Sequence, residues 1–423
     1  MRETFTFVLA GGVGSRLNVL VRHRAKPAVP FGGIYRIIDF VLSNAMNSGI
    51  SQVAVLTQYK PLSLMEHIGD GSAWDFAGRT RWIKILPPRT GEKDSDWYKG
   101  TADACRQNLD LLAAHPSRQV LVLSGDHVYR MDYRALVRHH RERGARVTVA
   151  MMPVPWEETH QFGIGITDGE GRIVDWEEKP ARARSNLASM GIYVFDTDYL
   201  VRALRETGEV DFGHHILPAA MARGDVHAFP FEGYWRDVGT VEAYWAANMD
   251  LIRPESGLAP EDWGVCTNLE AEGRPGDRPP ARLLPGAEVR SSILGPGCVI
   301  EGRVEGSILS PGVRVARGAE VSGSILMHGT RVGPGAVLHR VIADKEVVVG
   351  AGARVGHGDP GRANRSFPGH LRSGLTLVAK GAVVPDGAVV GTNCVVGGEG
   401  EGGGWPPGGV VGDGECVGLA AAP

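Results

Sequence analysis

The sequence has no excess of charge of either sign. Its 423 residues include 45 Lys and Arg against 48 Asp and Glu, which gives a formal net charge of −3. Proteins that bind nucleic acid depend on clustered basic residues that neutralise phosphates, so this balance argues against a nucleic-acid surface. Apolar runs are also short, and none reaches the roughly 18 residues of a membrane-spanning helix. Phe5–Ala10 is too short to be the apolar core of a secretory signal.

Paired cysteines are likewise absent from the sequence. The five cysteines, at positions 105, 266, 298, 394 and 416, lie far apart, and no Cys-x-x-Cys motif occurs. An odd number of scattered cysteines is typical of reduced thiols in a cytosol. We therefore expect a soluble cytoplasmic protein without membrane or nucleic-acid partners. At this length, two domains are expected rather than one.

A glycine-rich loop follows the first apolar run. Phe5–Ala10 is almost wholly apolar, which is the pattern of a strand buried on both faces of a parallel sheet. The glycines of Gly11–Gly14 come next, and glycines let backbone N–H groups approach an anion closely. Arg16 and Lys26 then add positive charge. Together these residues predict a site for phosphate groups.

The loop matches neither of two common phosphate-binding motifs. No third glycine opens a helix, as it does in dinucleotide-binding folds, and no Gly-Lys-Ser/Thr follows, as it does in P-loops. The sequence therefore predicts a phosphate-binding loop of another kind, with Arg16 where those motifs place glycine or lysine.

Strand and helix patterns alternate along the first 250 residues. Alternation of this kind predicts a Rossmann-like α/β domain, in which helices cover a mostly parallel sheet. We expect helices over 36–48 and 101–114, the second capped by Thr101, and buried strands at Val53–Thr57, Val120–Leu123, Val147–Met152 and Leu187–Phe195. Phe162–Asp168 and Arg172–Lys179 flank Gly169-Glu-Gly171, a pattern typical of an antiparallel hairpin.

Two of these segments place glycine and polar residues just past the end of a strand. Gly11–Gly14 follows the first strand, and Gly125-Asp126 follows the strand Val120–Leu123. In parallel sheets, ligands bind beyond the carboxyl ends of the strands. We therefore expect both segments to line one crevice.

Beyond residue 284 the chain repeats. Ile293, Ile308, Ile325 and Val341 open similar short runs at intervals of 15, 17 and 16 residues. One inward aliphatic residue per hexad, with Gly or Pro at the corners, predicts a parallel β-helix, whereas a flexible linker would not keep aliphatic residues in phase. The six-residue step joins Leu294/Ile300, Leu309/Val315, Leu326/Val332 and Ile342/Val348, and later Val378, Val384, Val390 and Val396.

These patterns divide the chain into four expected regions. We predict an α/β domain over residues 1–252, followed by a linker rich in Pro, Gly and charge over 253–284. The β-helix is expected over 285–396. Residues 397–423 are rich in glycine and are expected to be a disordered tail.

Two aspartates are candidates for a metal site. Asp126 follows a buried strand and a glycine, and Asp237 lies in Trp235-Arg-Asp-Val-Gly239, just before a helix. Two carboxylates from distant segments that meet near phosphates suit Mg²⁺. An alternative for Asp237 is that it only caps the helix that starts near Thr240.

Further polar residues have either a binding role or an ordinary structural one. Lys179 could hold a sugar phosphate as a point charge, and Glu178 could accept hydrogen bonds from sugar hydroxyls. The alternative is an exposed charge cluster. Three histidines lack the carboxylate–histidine spacing of a metal centre and are expected to be structural or to face solvent: His127, His214 and His215.

Longer motifs connect the sequence to a known family. Leu9-Ala-Gly-Gly-Val-Gly-Ser-Arg-Leu17, followed by Lys26-Pro27, is similar to the opening signature of the sugar-nucleotide pyrophosphorylases. From residue 5 to residue 396 the chain resembles, more narrowly, the glucose-1-phosphate adenylyltransferases (ADP-glucose pyrophosphorylases). The motifs that carry this resemblance are Arg24-Ala-Lys-Pro-Ala-Val29, Arg36-Ile-Ile-Asp-Phe40, Leu42-Ser-Asn44, Trp97-Tyr-Lys-Gly-Thr-Ala-Asp-Ala104, Gly125-Asp-His-Val-Tyr129, Glu178-Lys-Pro180 and Tyr234-Trp-Arg-Asp-Val-Gly-Thr240.

The resemblance implies a reaction, an assembly and a set of site residues. The reaction is ATP plus glucose 1-phosphate giving ADP-glucose and diphosphate, with Mg²⁺ as cofactor, in glycogen synthesis. The solenoid would be a left-handed β-helix, and the protein a homotetramer that responds to sugar-phosphate or nucleotide effectors. By position, the family implies catalytic roles for Arg16, Lys26 and Asp126, glucose 1-phosphate contacts for Gly163, Glu178, Lys179 and Ser189, nucleotide contacts for Gly11, Gly12, Gly14, Gln58, Tyr98, Gly100 and Thr101, and metal binding for Asp126 and Asp237.

Two positions depart from the pattern of this family. Well-activated members usually have arginine where Val13 stands, and many bacterial members have a basic residue, often lysine, where His23 stands. Since a histidine carries less positive charge than a lysine at neutral pH, we expect a weaker response to sugar-phosphate activators. Arg365 and Arg372 resemble arginines that bind effectors in the family.

Two other functions fit part of these features. A non-catalytic regulatory paralogue would have lost Asp126 or Lys179, and both are present. A bifunctional enzyme whose solenoid transfers acyl groups would need a longer solenoid with a catalytic histidine. A solenoid of roughly a hundred residues with irregular repeats argues against that alternative.

Overall fold

A computed structural model describes residues 1, 3–89, 97–270, 276–398 and 404–419. The chain forms two compact units that interleave along the sequence. The first unit comprises Met1–Gly12, Ile38–Trp235 and Pro260–Cys266, and the second comprises Val13–Ile37, Arg236–Ala259 and Thr267–Pro423. Segments 13–37 and 236–259 therefore group with the solenoid by their contacts. The domain bounds expected from sequence order remain predictions.

The first unit is built on a nine-stranded, mostly parallel sheet, which confirms the predicted α/β fold. Seven of its strands pair in the order Ile173–Glu178, Gly163–Thr167, Leu187–Asp196, Gln119–Ser124, Thr4–Ala10, Gln52–Thr57 and Trp82–Leu86. Val147–Pro153 also pairs with Leu187–Asp196, and Val226–Pro230 pairs with Val147–Pro153. Thr4–Ala10 is parallel to both of its neighbours. Phe5 and Phe7 are fully buried, as expected of a strand covered on both faces. The strands Trp82–Leu86 and Val226–Pro230 were not predicted.

The first unit contains eight helices within the described residues, and Ile37–Asn47 lies where periodic apolar residues predict it. The helices are Ile37–Asn47, Leu62–Ile68, Thr101–Arg106, Leu109–Ala114, Tyr133–Glu142, Thr197–Thr207, Leu217–Met221 and Pro260–Trp263, with 3-10 turns at Ser72–Trp74 and Trp156–Gln161 and a π-helical turn at Phe212–Ile216. The prediction of a single helix over 101–114 is wrong, because the helix is interrupted between Arg106 and Leu109 and forms two short helices instead. Within the described ranges, no helix is long and apolar enough to cross a membrane.

The second unit is built on a parallel β-helix, as predicted. Its short strands stack into three parallel sheets, the arrangement of a left-handed β-helix. The first of these sheets contains Arg282–Leu283, Val299–Ile300, Arg314–Val315, Arg331–Val332, Val348–Val349 and Val383–Val384. The second sheet contains Glu288–Arg290, Arg303–Glu305, Glu320–Ser322, Val337–His339, Arg354–Val355, Val389–Val390 and Val410–Val411. The third sheet contains Ile293–Leu294, Ile308–Leu309, Ile325–Leu326, Val341–Ala343, Thr376–Val378, Val395–Val396 and Cys416–Val417.

The inward aliphatic residues are those predicted, with one exception. Val348 is 38% exposed, whereas its neighbour Val349 is buried. Ile325 pairs with Ile342, and Leu326 therefore pairs with Ala343. The step between those coils is one residue longer than the 16 taken from the sequence. The predicted inward pair Ile342/Val348 is thus wrong by one position, and Ala343 and Val349 take its place.

The glycine-rich tail is partly ordered. Val410–Val411 pairs with Val389–Val390, and Cys416–Val417 pairs with Val395–Val396, so residues 404–419 add strands to two of the solenoid sheets. Trp405 packs against the solenoid core. The expectation of disorder is wrong for these residues, because two valine-containing dipeptides continue the inward columns. Residues 399–403 and 420–423 of the expected tail lie outside the described residues.

The second unit also includes two segments that precede the solenoid in the sequence, Val13–Ile37 and Arg236–Ala259. Val13–Ile37 contains 3-10 turns at Ser15–Val21 and Lys26–Ala28 and a small antiparallel pair, Pro30–Phe31 with Tyr35–Arg36. Arg236–Ala259 contains the helix Val241–Asp250 and a 3-10 turn at Pro254–Ser256. The indole N–H of Trp245 donates to Gly323 O at 2.7 Å. That bond fixes the helix to the solenoid.

Candidate active site

Two neighbouring strand ends in the first unit bring predicted residues to one edge of the sheet. The first strand and Gln119–Ser124 are parallel neighbours. Past their ends, the backbone N–H of Gly125 donates to Leu9 O at 2.9 Å. Gly11 and Asp126 therefore leave the sheet from adjacent positions, at the carboxyl edge where parallel sheets bind ligands.

Asp126 has a histidine beside its carboxylate. The Nδ1 atom of His127 lies 3.1 Å from Met190 O, and because a carbonyl only accepts, Nδ1 is the protonated nitrogen. Nε2 faces Asp126 Oδ1 at 3.5 Å. His127 is 12% exposed and Asp126 33%. The histidine is therefore a largely buried neighbour of the candidate carboxylate, a role that the sequence indicated only through adjacency.

The predicted nucleotide residues of the first unit form a connected group. The backbone N–H of Tyr98 donates to Gln58 Oε1 at 2.6 Å, and the Tyr98 hydroxyl donates to Leu86 O at 3.1 Å. Burial raises the pKa of Tyr98, so this phenol stays protonated at neutral pH. A side-chain carbon on Gly11 would lie 3.4 Å from Gln58 Cβ, which places the glycine loop against the same residue.

Gly100 and Thr101 begin the helix that follows Tyr98. Thr101 is the first helical residue and Gly100 is the N-cap, so the expectation that Thr101 caps the helix is wrong. The Thr101 hydroxyl instead donates to Asp211 Oδ2 at 3.0 Å and accepts from the backbone N–H of Phe212 at 3.1 Å. The Thr101 side chain therefore makes tertiary hydrogen bonds with Asp211 and Phe212 and does not cap its own helix.

The predicted sugar residues occupy neighbouring strands of the sheet. Gly163 and Glu178 lie opposite each other in the predicted hairpin. The indole N–H of Trp176 donates to Glu178 Oε2 at 3.2 Å. A side-chain carbon on Gly163 would lie 2.3 Å from the Trp176 ring and 2.8 Å from Glu178 Oε2, so only glycine leaves room for this arrangement. Gly163 thus has a structural role in placing Glu178, and Trp176 was not predicted.

Lys179 and Ser189 lie on the same part of the sheet. Lys179 follows the strand that ends at Glu178 and has φ +47°, a left-handed conformation that is uncommon for a residue other than glycine. Ser189 is buried, and its hydroxyl accepts from the backbone N–H of Gly191 at 3.2 Å. The hydrogen bond to Gly191 therefore orients the Ser189 hydroxyl, whereas Lys179 is exposed.

A second cluster lies in the second unit. The ammonium of Lys26 pairs with Asp237 Oδ1 at 2.9 Å, and the two side chains are 6% and 17% exposed. Gly14 has φ +66°, and a side-chain carbon there would lie 2.9 Å from Lys26 Cβ, so this position requires glycine. Likewise a carbon on Gly239 would lie 2.9 Å from Arg16 Nη2 and 3.0 Å from Asp237 Oδ1. Gly14, Gly239, both cations and the carboxylate therefore form one cluster in the second unit.

The helix after Asp237 settles one alternative from the sequence. Thr240 is the N-cap of Val241–Asp250, and its hydroxyl accepts from the backbone N–H of Ala243 at 3.1 Å. Asp237 pairs with Lys26 instead. The hypothesis that Asp237 only caps this helix is therefore wrong.

The candidate effector residues also lie in the second unit. Val13, His23, Arg365 and Arg372 are all exposed. Arg365 Nη1 pairs with Glu415 Oε1 at 3.1 Å, and Glu415 belongs to the ordered part of the tail. An anion bound by Arg365 would therefore compete with a carboxylate of the chain itself.

Within each unit, the described donors fit a divalent cation. In the first unit, Asp126 offers carboxylate oxygens, and the His127 Nε2 beside them carries a lone pair in the neutral ring. In the second unit, Asp237 offers a carboxylate that Lys26 holds in place. Partly exposed carboxylates are the ligands that Mg²⁺ and similar hard cations prefer.

The sequence matches two families of known proteins. Residues 5–253 match the nucleotidyl transferase family, and residues 279–378 match the GlmU-like, C-terminal hexapeptide family. Curated relatives named glucose-1-phosphate adenylyltransferase are similar over most of their length. The relative from Thermomicrobium roseum is 49% identical over 91% of each chain, that from Acetivibrio thermocellus is 43% identical over 91% of each, and that from Thermotoga maritima is 48% identical over 76% of this chain and 77% of its own. The chain therefore belongs to the nucleotidyl transferase family of enzymes, and within it to the glucose-1-phosphate adenylyltransferases.

Proposed function

We propose that the chain transfers the adenylyl group of ATP to glucose 1-phosphate, which yields ADP-glucose and diphosphate and supplies ADP-glucose for glycogen synthesis. The names of the relatives supply the reaction. The structural observation that supports it most directly is the Lys26–Asp237 pair beside Gly14 and Arg16. That cluster combines the positive charge and the carboxylate that transfer between two phosphate compounds requires.

The main obstacle to this reaction is repulsion between two polyanions. Glucose 1-phosphate is already an anionic nucleophile at neutral pH, so no general base is needed. Arg16 and Lys26 neutralise charge on the ATP phosphates, and Lys179 holds the phosphate of glucose 1-phosphate. Positioning and charge neutralisation of this kind account for most catalysis of phosphoryl transfer.

The remaining contacts select the two substrates. The glycine loop Gly11–Gly14 and the group formed by Gln58, Tyr98, Gly100 and Thr101 lie around the nucleotide. Glu178, placed by Gly163 and Trp176, accepts hydrogen bonds from sugar hydroxyls, and Ser189 contacts the sugar. The fixed orientations of Tyr98, Glu178 and Ser189 support these roles, since preorganised polar groups bind without reordering.

Nucleotidyl transferases generally use a divalent metal, and we propose Mg²⁺ held by Asp126 and Asp237. Bound there, it would supply Lewis-acid stabilisation of the charge on the reacting phosphate and the leaving diphosphate. The chain contributes the orientation of both carboxylates, Asp126 through the strand end and Asp237 through Lys26.

Assembly and regulation follow from the resemblance. We propose a homotetramer in which the solenoid contributes to subunit contacts, and a phosphate-bearing effector bound near His23, Arg365 and Arg372. The Arg365–Glu415 pair supports a weak effector response, since an anion would have to displace Glu415. Replacement of His23 by lysine should strengthen activation by fructose 1,6-bisphosphate and fructose 6-phosphate.

A second activity has one observation in its favour. The GlmU-like hexapeptide match covers residues 279–378, and such a solenoid could transfer acyl groups. A pyrophosphate-release assay with ATP, UTP and dTTP, run beside an assay of thiol release from acetyl-CoA, separates the functions. We expect release with ATP and glucose 1-phosphate only. Thiol release would favour a bifunctional enzyme, and no release with any nucleotide would favour a regulatory paralogue.

A further inference from the structure

A buried ion pair in the second unit joins the segment that carries Lys26 to the solenoid. Arg24 Nη1 lies 2.9 Å from Asp344 Oδ2, and the two side chains are 2% and 0% exposed. The residues are 320 positions apart in the sequence. Burial of two charges removes their hydration, and the attraction offsets that loss only when the geometry is well fixed. The pair therefore holds Arg24 in one place on the solenoid.

The protein fixes both ends of this ion pair. Asp344 Oδ1 accepts from the backbone N–H of Lys345 at 2.7 Å, which holds the carboxylate, and the Asp344 N–H donates to Val378 O at 2.9 Å, which ties the backbone of this residue to the next coil. At the other end, Arg24 Nη1 also donates to Leu20 O at 3.0 Å. Neither side chain can move without loss of further hydrogen bonds.

Lys26 follows Arg24 by two residues in a tight turn. The N–H of Ala28 donates to Ala25 O, and the N–H of Val29 donates to Lys26 O, each at 3.0 Å. Lys26 is 5% exposed and has Gly14 packed against its Cβ. Because the turn is short and enclosed, a shift in the position of Arg24 should move Lys26 by a similar distance.

We propose that Asp344 is a positioning residue for the Lys26 ammonium and acts through Arg24. The proposal rests on the proposed function, in which Lys26 neutralises phosphate charge. In that role placement matters, because an error of about 1 Å in a charged group costs roughly a hundredfold in rate. The solenoid would then contribute directly to catalysis, through a residue more than three hundred positions from the one it places.

A double-mutant cycle in the full-length protein tests the proposal. Asp344→Asn, Lys26→Ala and the combined variant are compared by kcat and by KM for ATP and for glucose 1-phosphate. Asp344→Asn should lower kcat/KM for ATP roughly ten- to hundredfold, and should change KM for glucose 1-phosphate little. In the Lys26→Ala background, Asp344→Asn should have almost no further effect, because both changes act on one group.

A second measurement does not depend on activity. The rate at which an amine-acylating reagent labels Lys26, followed by mass spectrometry, should rise severalfold in Asp344→Asn. The matched control is Asn393→Asp, which alters another buried side chain of the solenoid that donates to Pro360 O and Arg362 O. The control should melt at a lower temperature with unchanged kcat, KM and Lys26 labelling.

The outcomes distinguish this proposal from the proposed function. Additive losses in the cycle, together with unchanged labelling of Lys26, would overturn the positioning role of Asp344. Wild-type turnover in Lys26→Ala would contradict the role of Lys26 in the reaction, and no ADP-glucose from the wild type would count against the proposed function. In either case the labelling would still decide whether Asp344 positions Lys26. If Asp344→Asn does not fold, Arg24→Lys completes the same cycle, since it keeps the charge and loses the second hydrogen bond.

Discussion

Lys26 Nζ and Asp237 Oδ1 lie 2.9 Å apart although 211 residues separate them in the sequence. Both side chains are largely buried, so the pair is screened little by solvent. The ammonium is therefore placed before any substrate binds, and its position does not have to be established during the reaction. Both the Arg16 guanidinium and the same carboxylate lie close to Gly239.

Loss of this ammonium should be costly. Lys26→Met should lower kcat/KM for ATP roughly a hundred- to a thousandfold, the usual effect of removing one preorganised charge at a reacting centre. Asp237 would also lose its ion pair with Lys26, so the melting temperature should fall. Lys84→Met, at an exposed lysine of the strand Trp82–Leu86, is the matched control. Equal activity of the two variants would contradict the role of Lys26.

Asp126→Asn should abolish turnover and leave the fold intact, because it removes the charge that we propose binds the metal and keeps the shape of the side chain. Asp132→Asn is the control, since Asp132 is an exposed N-cap that accepts from the backbone N–H of Arg134. The control should retain turnover and lose about 1 kcal/mol or less of stability. Steady-state rates at saturating Mg²⁺ and melting curves decide the question, and near-native turnover of Asp126→Asn would remove this residue from the site.

Two properties of Lys179, its left-handed backbone conformation and its positive charge, can be tested separately. Lys179→Ala and Lys179→Gly both remove the ammonium, and both should raise KM for glucose 1-phosphate roughly ten- to a hundredfold, as expected from a lost contact of about 1.5–3 kcal/mol. KM for ATP should change much less. Glycine tolerates φ +47° better than alanine, so Lys179→Gly should be the more stable variant. Equal increases of KM for both substrates would show that Lys179 does not bind the sugar phosphate.

Stability should fall with acid in a way that depends on His140. This residue lies on the buried face of the helix Tyr133–Glu142, and its Nδ1 lies 2.8 Å from the Thr148 hydroxyl. Burial lowers the pKa of His140 below its ordinary value of 6.5. The unfolded chain therefore takes up a proton first, and the stabilisation present above about pH 6.5 is lost as the pH falls below it.

Melting temperatures at pH 7.5 and pH 5.5 test this dependence. The difference between them should be smaller in His140→Gln than in the wild type. His370→Gln, at an exposed histidine, should keep the wild-type difference. If His140→Gln also keeps it, another group is responsible for the acid sensitivity.

The fold was largely predictable because its determinants are local. Phe5–Ala10 and Val120–Leu123 are short apolar runs, and the chain buries them side by side as parallel strands. The repeat of the solenoid was visible in the sequence because each six-residue step places one aliphatic residue at an inward position. The errors arose where local pattern is ambiguous. Ile342 and Val348 are aliphatic like Ala343 and Val349, and only the pairing with the coil before shows which of them points inward.

The candidate site was predictable only in part. The glycine loop and Asp126 stand at strand ends, which the sequence reveals. Lys26 and Asp237 each had a suggested role, but nothing in the sequence indicates that they touch. The same holds for Arg24 and Asp344, and for the bond between Thr101 and Asp211. Such contacts depend on how distant segments pack against each other, and the spacing of residues in one sequence does not predict that packing.

The central claim is that the chain makes ADP-glucose. The most direct measurement incubates the purified protein with ATP labelled at the α-phosphate, glucose 1-phosphate and Mg²⁺, and separates the products by chromatography. The account predicts that the label appears in ADP-glucose in proportion to the unlabelled diphosphate released, and that UTP and dTTP give no comparable product. Label that stays in ATP while glucose 1-phosphate is unconsumed, or a preference for UTP or dTTP, would contradict it.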